Sequence, residues 1–336
     1  MTLDARALED GVLAVLAGAS LEEAAAQVPM DPADLAEAVE TFRAAGQSAL
    51  NALTHTREWH QVRIHFTDWD KAEETAATSL GPTLQRAHGT GGLSGWWFLR
   101  KHPCWRLRCR PGPNATTADV KATLAAVLDR LVKEGTLQRW WETHYEPEIL
   151  AFGGNRGMAI AHDLFHADSS GILSHLNHSP ASLAQSAVGR RELSVLLCAS
   201  LYRGARQDSH EQGDIWHRVV QMRPVSKPPP TDRLHAMAPG LQRLMNVDAS
   251  PTSTLFEPAG PLPYAAPWAT AFTNAGRHLA DAARDGTLER GIRDILANHV
   301  IFHWNRIGMP ASAQAVLARA ARETLMNTTT AHKPGS

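Results

Sequence analysis

The stretch WWFLRKHPCWRLRCR, residues 96–110, decides how the middle of this chain folds. Two runs of alternating side chains, Trp96–Lys101 and Trp105–Arg110, flank a His-Pro-Cys turn, and this pattern predicts a β-hairpin. In the second run a period of two separates the side chains onto two faces. One face carries Trp105, Leu107 and Cys109. The other face carries Arg106, Arg108 and Arg110.

The segments around this hairpin predict four further elements. Residues 59–66 alternate and read as a strand, residues 70–88 and 115–134 have helical periods, and residues 137–146 alternate again. The order strand, helix, strand, strand, helix, strand is that of the split βαβ, or ferredoxin-like, arrangement. Its first and third strands lie side by side in an antiparallel sheet. We therefore expect Arg63 and His65 beside Arg106 and Arg108.

The flanking regions predict helices. Ser20 with Glu23 forms a capping box, and Asp31-Pro32 starts a further helix, so residues 1–52 are expected to form a small helical module. Its acidic second helix favours packing or partner docking over DNA binding. After residue 154 helical periods dominate. The predicted fold class is α+β: a ferredoxin-like antiparallel sheet followed by a mainly helical half, both within a domain of residues 53–336.

The composition excludes several classes of protein. The chain has 336 residues, 43% of them hydrophobic, which is typical of a globular protein. Its formal net charge of −1 gives no overall electrostatic attraction for nucleic acid. No stretch reads as a signal or a membrane span, so a cytoplasmic protein with no membrane partner is expected. The three cysteines are too few for a disulfide framework and lack zinc-site spacing.

The arginine row on the second hairpin strand has two interpretations. Three like charges at every second position repel one another, so an anionic or peptidic substrate is expected to offset them. The alternative is an exposed strand face paired with Glu142 and Glu146.

The histidines also have competing interpretations. His162 and His166 stand at i and i+4, a zinc-enzyme spacing, but no third ligand is indicated, so helix packing or a hydrogen bond to Asp168 is favoured and no metal is predicted. His299 and His303 stand one helical turn apart, where a core histidine competes with a general acid or base. His303 is the better candidate. Tyr264 and Trp268, next to a Pro-rich loop, are candidates to line a peptide-binding cleft.

The ordered motifs carry a family resemblance. They are residues 96–108, Tyr145-Glu146-Pro147-Glu148, Ala151-Phe152-Gly153-Gly154, Leu164-Phe165-His166-Ala167-Asp168-Ser169 and His303-Trp304-Asn305-Arg306. From Trp59 onward the chain resembles the thiopeptide-type bacteriocin biosynthesis domain, which is similar to the elimination domain of lantibiotic dehydratases. The resemblance implies action on a ribosomally made, leader-bearing precursor peptide.

The resemblance implies one of two activities. One eliminates glutamate from glutamylated Ser or Thr, and Arg106 and Arg108 match the glutamate-handling strand of that reaction. The other is pyridine synthesis, which joins two dehydroalanines in a formal aza-[4+2] cycloaddition and expels water and the leader peptide. Elimination domains carry a histidine at the position of Ile301. This departure favours the pyridine synthase interpretation, which requires no cofactor.

The expected roles under that interpretation follow the family motifs. His303 or Tyr264 assists proton transfer, and Arg106 and Arg108 hold peptide carbonyls or carboxylates. The expected substrate-binding residues are Arg63, His65, Arg110, Tyr145, Glu146, Trp268, Asn305 and Arg306. A glutamylating dehydratase is the expected protein partner. A catalytically inactive leader-binding protein, with residues 1–52 as its docking module, remains the alternative from a different class.

Overall fold

A computed structural model describes residues 5–178, 188–226 and 229–327, except for the side chains of residues 47–49, 51–58 and 327. The described chain forms two compact units, Met1–Arg57 and Glu58–Ser336. The first contains helices α1 (Ala5–Leu16) and α2 (Leu21–Gln27) and nearly all of α3 (Pro32–Glu58). The predicted capping box of Ser20 and Glu23 starts α2, and Val12, Ala25, Leu35 and Val39 are among the residues of a small core.

The second unit begins with the predicted sheet. Its strands are β1 (His60–Phe66), β2 (Leu93–Lys101), β3 (Cys104–Pro111) and β4 (Leu137–Thr143), in the spatial order β2-β3-β1-β4, and every neighbouring pair is antiparallel. This is the ferredoxin-like order, with β1 and β3 at the centre. The predicted α+β fold class is confirmed.

The helices of the sheet region pack on one face of it. Helices α4 (Ala72–Thr75) and α5 (Gly81–Gly89) are joined by a π-helical turn at Ala76–Leu80, and α6 (Thr117–Lys133) follows β3. The predicted continuous helix over residues 70–88 is thus interrupted. The core beneath them contains Val62 and Ile64, which are alternate side chains of β1, and also Trp105 and Leu107 of β3, which the sequence pattern assigned to one face.

The rest of the unit is helical, as predicted. Its helices are α7 (Gly154–His178), α8 (Arg190–Gly204), α9 (Ser209–Met222), α10 (Thr231–Asn246), α11 (Ala266–Arg284), α12 (Ile292–Ile307) and α13 (Ala311–Asn327). Short 3₁₀ turns lie at Ile149–Phe152, Thr254–Phe256 and Pro263–Ala265. Across the described residues, no helix is long and apolar enough to cross a membrane.

Helix α7 covers the outer edge of β2. The Trp96 N–H donates to His166 Nδ1 at 3.2 Å, and the Phe98 N–H donates to Ser169 Oγ at 3.2 Å. An open strand edge presents unpaired backbone groups that favour aggregation, so these side chains act as substitutes for a further strand. They also fix the helix against the hairpin that carries the arginine row.

Candidate functional site

One face of the sheet carries a cluster of cations, here called the arginine face. It consists of Arg63 and His65 on β1, Arg106, Arg108 and Arg110 on β3, and Arg139 on β4, with Trp141 of β4 between them. The register places Arg63 opposite both Arg106 and Trp141, whereas Arg108 lies opposite Gln61 and His65 opposite Cys104. The predicted neighbourhood of β1 and β3 is confirmed, and β4 extends it with a cation that the sequence analysis did not single out.

Arg108 is the deepest member of the arginine face. Only 3% of it is exposed, and its guanidinium carbon lies 4.0 Å from the Trp97 ring centroid and 5.0 Å from that of Tyr145. Burial lowers the pKa of Arg108 to about 10, against the opposing effects of Tyr145 and Glu148, so it stays charged at neutral pH. Its Nε and Nη1 have no hydrogen-bond partner among the described residues. Arg108 is therefore a buried cation held by aromatic rings.

The alternative pairing of the arginine row with Glu142 and Glu146 is not observed among the described residues. Glu142 is exposed and bonds Lys121 Nζ at 2.6 Å, and Tyr145 and Glu146 lie beyond the end of β4, which stops at Thr143 rather than at residue 146. Arg110 donates to Ser94 Oγ at 2.7 Å and lies over Trp59. Within the described part of the chain, no carboxylate forms an ion pair with an arginine of this face. The face keeps a net positive charge.

A buried carboxylate behind this region connects three helices. Asp168 on α7 accepts hydrogen bonds from Trp268 Nε1 at 3.0 Å, from His303 Nδ1 at 2.8 Å and from Arg306 Nε at 2.6 Å. Burial alone would raise the pKa of Asp168, but the charges and hydrogen bonds of His303 and Arg306 outweigh it and hold the pKa below its usual value. The Arg306 guanidinium also lies over Phe165, at 4.2 Å from the ring centroid.

This network accounts for three predicted site residues. His303, Trp268 and Arg306 are all at most 2% exposed, so in this structure they meet one another around Asp168. The expected hydrogen bond from His162 or His166 to Asp168 is not observed. His162 Nε2 pairs with the Tyr145 hydroxyl at 2.8 Å, and His166 bonds the β2 backbone. Asp168 was visible in the sequence motif, but the helices that supply its partners are distant in sequence.

Helix α12 carries apolar side chains around Ile301, the position at which elimination domains are expected to have a histidine. Ile301 is 7% exposed and belongs to the main core. The next residue, Phe302, stacks on Phe165 with ring centroids 5.3 Å apart. His299 is fully buried beside Phe152, and burial lowers its pKa to about 3. Its imidazole is therefore neutral at physiological pH.

Tyr264 lies apart from the Asp168 network, in a pair with α7. Its hydroxyl is 2.7 Å from His175 Nδ1, and the His178 ring stacks on its ring at 4.8 Å. Burial raises the pKa of Tyr264, so the phenol is protonated at neutral pH. Tyr264 is half-buried, and it is thus the more accessible of the two predicted proton carriers.

Asn305 and Glu146 complete the set of predicted residues. Asn305 Oδ1 accepts from Gln314 Nε2 at 3.2 Å and lines a cleft of about 680 Å³ together with Arg100 and Glu73. Glu146 is exposed. No group of three metal-ligating side chains occurs within the described ranges, and His162 and His166 each have the non-metal partners given above.

Comparisons with known proteins identify the family. A model of the lantibiotic biosynthesis dehydratase C-terminal domain matches residues 59–325. The structure is similar to the tRNA-dependent lantibiotic dehydratase MibB from Microbispora sp. 107891, with a TM-score of 0.61 and 15% identity, covering 82% of this chain and 29% of that one. The chain therefore spans less than a third of the length of that dehydratase.

Two shorter proteins share the fold over almost their whole length. TsrL has a TM-score of 0.55 at 13% identity, and TbtD, the pyridine synthase of thiomuracin biosynthesis, has 0.51 at 14%. The matches cover 83% and 82% of this chain and 99% of either relative. A comparison with curated proteins gives no match. Because the matched family model extends over most of the chain, the protein belongs to the lantibiotic biosynthesis dehydratase C-terminal family.

Proposed function

We propose that this protein forms the central pyridine of a thiopeptide macrocycle from two dehydroalanines of a leader-bearing precursor peptide. The reaction is a formal aza-[4+2] cycloaddition, followed by loss of water and of the leader peptide. Family membership supports a role in the biosynthesis of ribosomal peptides. The observation that carries the choice of reaction is Ile301, a core residue where elimination domains have a histidine.

The arginine face supports binding of a peptide substrate. Arginines on adjacent strands offer planar donors for peptide carbonyls or carboxylates, and no described ion pair occupies them. A long peptide that is bound at several points loses conformational freedom on binding, before the reaction begins. Positioning of diene and dienophile is then the main source of acceleration, because oriented reactants behave as one molecule.

Proton transfer under this proposal is assigned to Tyr264 or His303. An amide must become its iminol tautomer before it can act as an azadiene, and the cyclic product must later lose water. Tyr264 is protonated, half-buried and paired with His175 Nδ1, which can accept its proton. His303 is held by Asp168 and is nearly inaccessible, so Tyr264 is the first residue to test.

The proposal implies one earlier enzyme and no cofactor. A glutamylating dehydratase, followed by elimination of the glutamate, is expected to supply the dehydroalanines, and these reactions are expected to take place in the cytoplasm. We also propose that the helical module comprises residues 1–52 and the catalytic domain residues 53–336.

Mass spectrometry of a leader-bearing peptide with two dehydroalanines tests the reaction. Incubation with the protein should yield a product that has lost water and the leader. A matched peptide in which one dehydroalanine is replaced by alanine should remain unchanged, because it lacks the dienophile or the diene. An intact bis-dehydroalanine peptide after incubation would exclude pyridine synthesis.

Glutamate elimination is the second candidate, because Arg63, Arg106 and Arg108 cluster on adjacent strands and form no ion pair among the described residues. Such a cluster suits the carboxylate of a glutamyl ester. A glutamylated precursor peptide incubated with the protein distinguishes the two reactions. Loss of glutamate with formation of a dehydro residue would establish elimination, whereas an unchanged glutamylated peptide would exclude it.

A further inference from the structure

A second cationic cavity lies in the helical half, on elements that contribute nothing to the arginine face. It has a volume of about 370 Å³ and lies between α8, α11 and the loop that follows α10. Three arginines, Arg203, Arg206 and Arg277, line it together with the single carboxylate of Asp248. The remaining polar lining comes from Ser250, Thr270, Thr273 and Asn274.

Two glycines bring the arginines together. A Cβ on Gly204 of α8 would lie 2.1 Å from the Thr273 carbonyl oxygen, and one on Gly276 of α11 would lie 2.1 Å from that of Leu201. The two helices therefore touch at their backbones. Because of this close approach, the C-terminal turn of α8 and the middle of α11 present their arginines to the same cavity.

The existing contacts leave the cavity positively charged. The Asp248 carboxylate already accepts from Ser250 N at 2.8 Å and from Ser250 Oγ at 3.0 Å. Arg203 donates to the Met245 carbonyl oxygen, and Arg277 to Asn274 Oδ1. Arg206 Nη2 is 3.9 Å from Asp281, which takes a shorter bond of 2.8 Å from Arg284. Within the lining itself, one carboxylate thus faces three guanidinium groups.

Arg206 occupies a backbone position that usually favours glycine. Its φ is +58°, and among the described residues it is the one non-glycine with a positive φ. It follows Ala205, the C-cap residue of α8, and here the Arg206 N–H donates to Arg203 O and the Gln207 N–H to Tyr202 O. Glycine is preferred at such helix ends because a Cβ strains this conformation. An arginine is therefore more costly than a glycine at this position, and its side chain lines the cavity.

We propose that this cavity is an anion-binding site that takes neighbouring carboxylates of an acidic segment of the precursor peptide. One arginine guanidinium can bind one carboxylate through two parallel hydrogen bonds. The cavity has room for a short stretch of acidic side chains. The identity of the peptide rests on the proposed function. The presence of the anion site does not.

Calorimetric titration of the full chain tests the site with acetyl-triglutamate-amide and, separately, with inorganic phosphate, each at low and high salt. Triglutamate should bind, more weakly at high salt. Arg206→Gly and Arg277→Gln should each weaken this binding by roughly fivefold. The matched control is Arg130→Gln, an exposed arginine of α6 that pairs with Glu134 of its own helix and lies outside the lining, and this variant should bind as the parent does.

Arg206→Gly also separates binding from folding. Because glycine relieves the left-handed strain, this variant should melt about 2 °C higher while it binds less triglutamate. Unchanged triglutamate binding in both Arg206→Gly and Arg277→Gln would overturn the proposal and leave the α8 arginines as partners of the helix C-terminus. Phosphate binding tighter than triglutamate binding would overturn the peptide assignment. None of these measurements depends on pyridine formation. A failure of the proposed function can therefore be told apart from a failure of the anion-site proposal.

Discussion

Asp168 shows how one side chain can determine the arrangement of several others. Its two oxygens accept from α11 and α12, and it is fully buried. Asp168→Asn would leave the Arg306 guanidinium without a carboxylate, so we expect a loss of about 3–5 kcal/mol in the free energy of unfolding, measured by denaturant titration. Since the pKa of Asp168 is lowered, its stabilisation is present above the ordinary value of 3.8 and is lost as pH falls through the folded-state pKa.

The same helix offers a matched control for this substitution. Asp163 is exposed on α7, and Asp163→Asn should change the free energy of unfolding by less than about 0.5 kcal/mol. Equal stabilities of the two variants would mean that the buried network does not hold the helices together.

His299 predicts a pH dependence of stability. Burial lowers its folded-state pKa to about 3, while the unfolded imidazole binds a proton near 6.5. Stability should therefore fall as pH drops below 6.5, because only the unfolded chain takes up the proton. In His299→Leu the slope of unfolding free energy against pH should decrease by up to about 1.4 kcal/mol per pH unit. Part of the slope should remain, because burial also lowers the pKa of His60, His166 and His175. An unchanged slope would contradict the neutral assignment.

If the arginine face binds the precursor peptide as proposed, Arg108 tests whether it recognises planar groups or charge alone. Arg108→Lys keeps the charge but loses the flat guanidinium that lies over Trp97 and Tyr145. We expect kcat/KM for the precursor peptide to fall by about tenfold or more. Arg156→Lys, an exposed position on α7, is the matched control and should retain full activity. Equal activities would assign Arg108 to packing.

At the scale of elements, the contact between α7 and β2 offers a local test. Ser169 Oγ accepts the buried Phe98 N–H, and Ser169→Ala leaves this donor without a partner. The substitution should lower stability by about 1–3 kcal/mol and speed hydrogen exchange at the Phe98 amide. Thr123→Ala on the solvent side of α6 is a suitable comparison, because its hydroxyl makes only an exposed bond within its own helix. An unaltered exchange rate at Phe98 would show that water replaces the serine.

The order of elements followed from the sequence because alternation and helical period are local properties. Strand β1, the hairpin and the sheet order were predicted on that basis, and with them the neighbourhood of Arg63 and Arg106. Strand β4 was predicted three residues too long, since Tyr145 continues the alternation but turns inward to His162. The π-helical turn at Ala76–Leu80 has no sequence pattern that distinguishes it from an ordinary helix.

The spatial arrangement of the candidate site was predictable from the residue pattern only where it depends on strands, whereas His303, Trp268 and Arg306 were named singly, without their common partner Asp168. The row of Arg106, Arg108 and Arg110 is visible in the sequence as a period of two. The Asp168 network was not, because Trp268 and Arg306 lie 100 and 138 residues further along and meet Asp168 only after three helices have packed. Arg139 could have been found from the alternation of β4 once the sheet order was known.

At the scale of the whole molecule, the two compact units suggest a division between docking and chemistry. The first unit has its own small core and lies outside the family match, which starts at residue 59. A chain lacking residues 1–57 should therefore fold, with the unfolding free energy of the second unit within about 1 kcal/mol of its value in the full chain.

The same shortened chain tests whether the first unit docks the leader. If it does, the shortened chain should bind leader peptide more weakly than the full chain. Its kcat for a saturating bis-dehydroalanine substrate should be unchanged, because the arginine face, Tyr264 and the Asp168 network all belong to the second unit. Calorimetry with leader peptide and mass-spectrometric rates at saturation measure the two quantities separately. Equal leader affinity in both chains would contradict the docking role, and a fall in kcat alone would mean that the first unit takes part in the reaction.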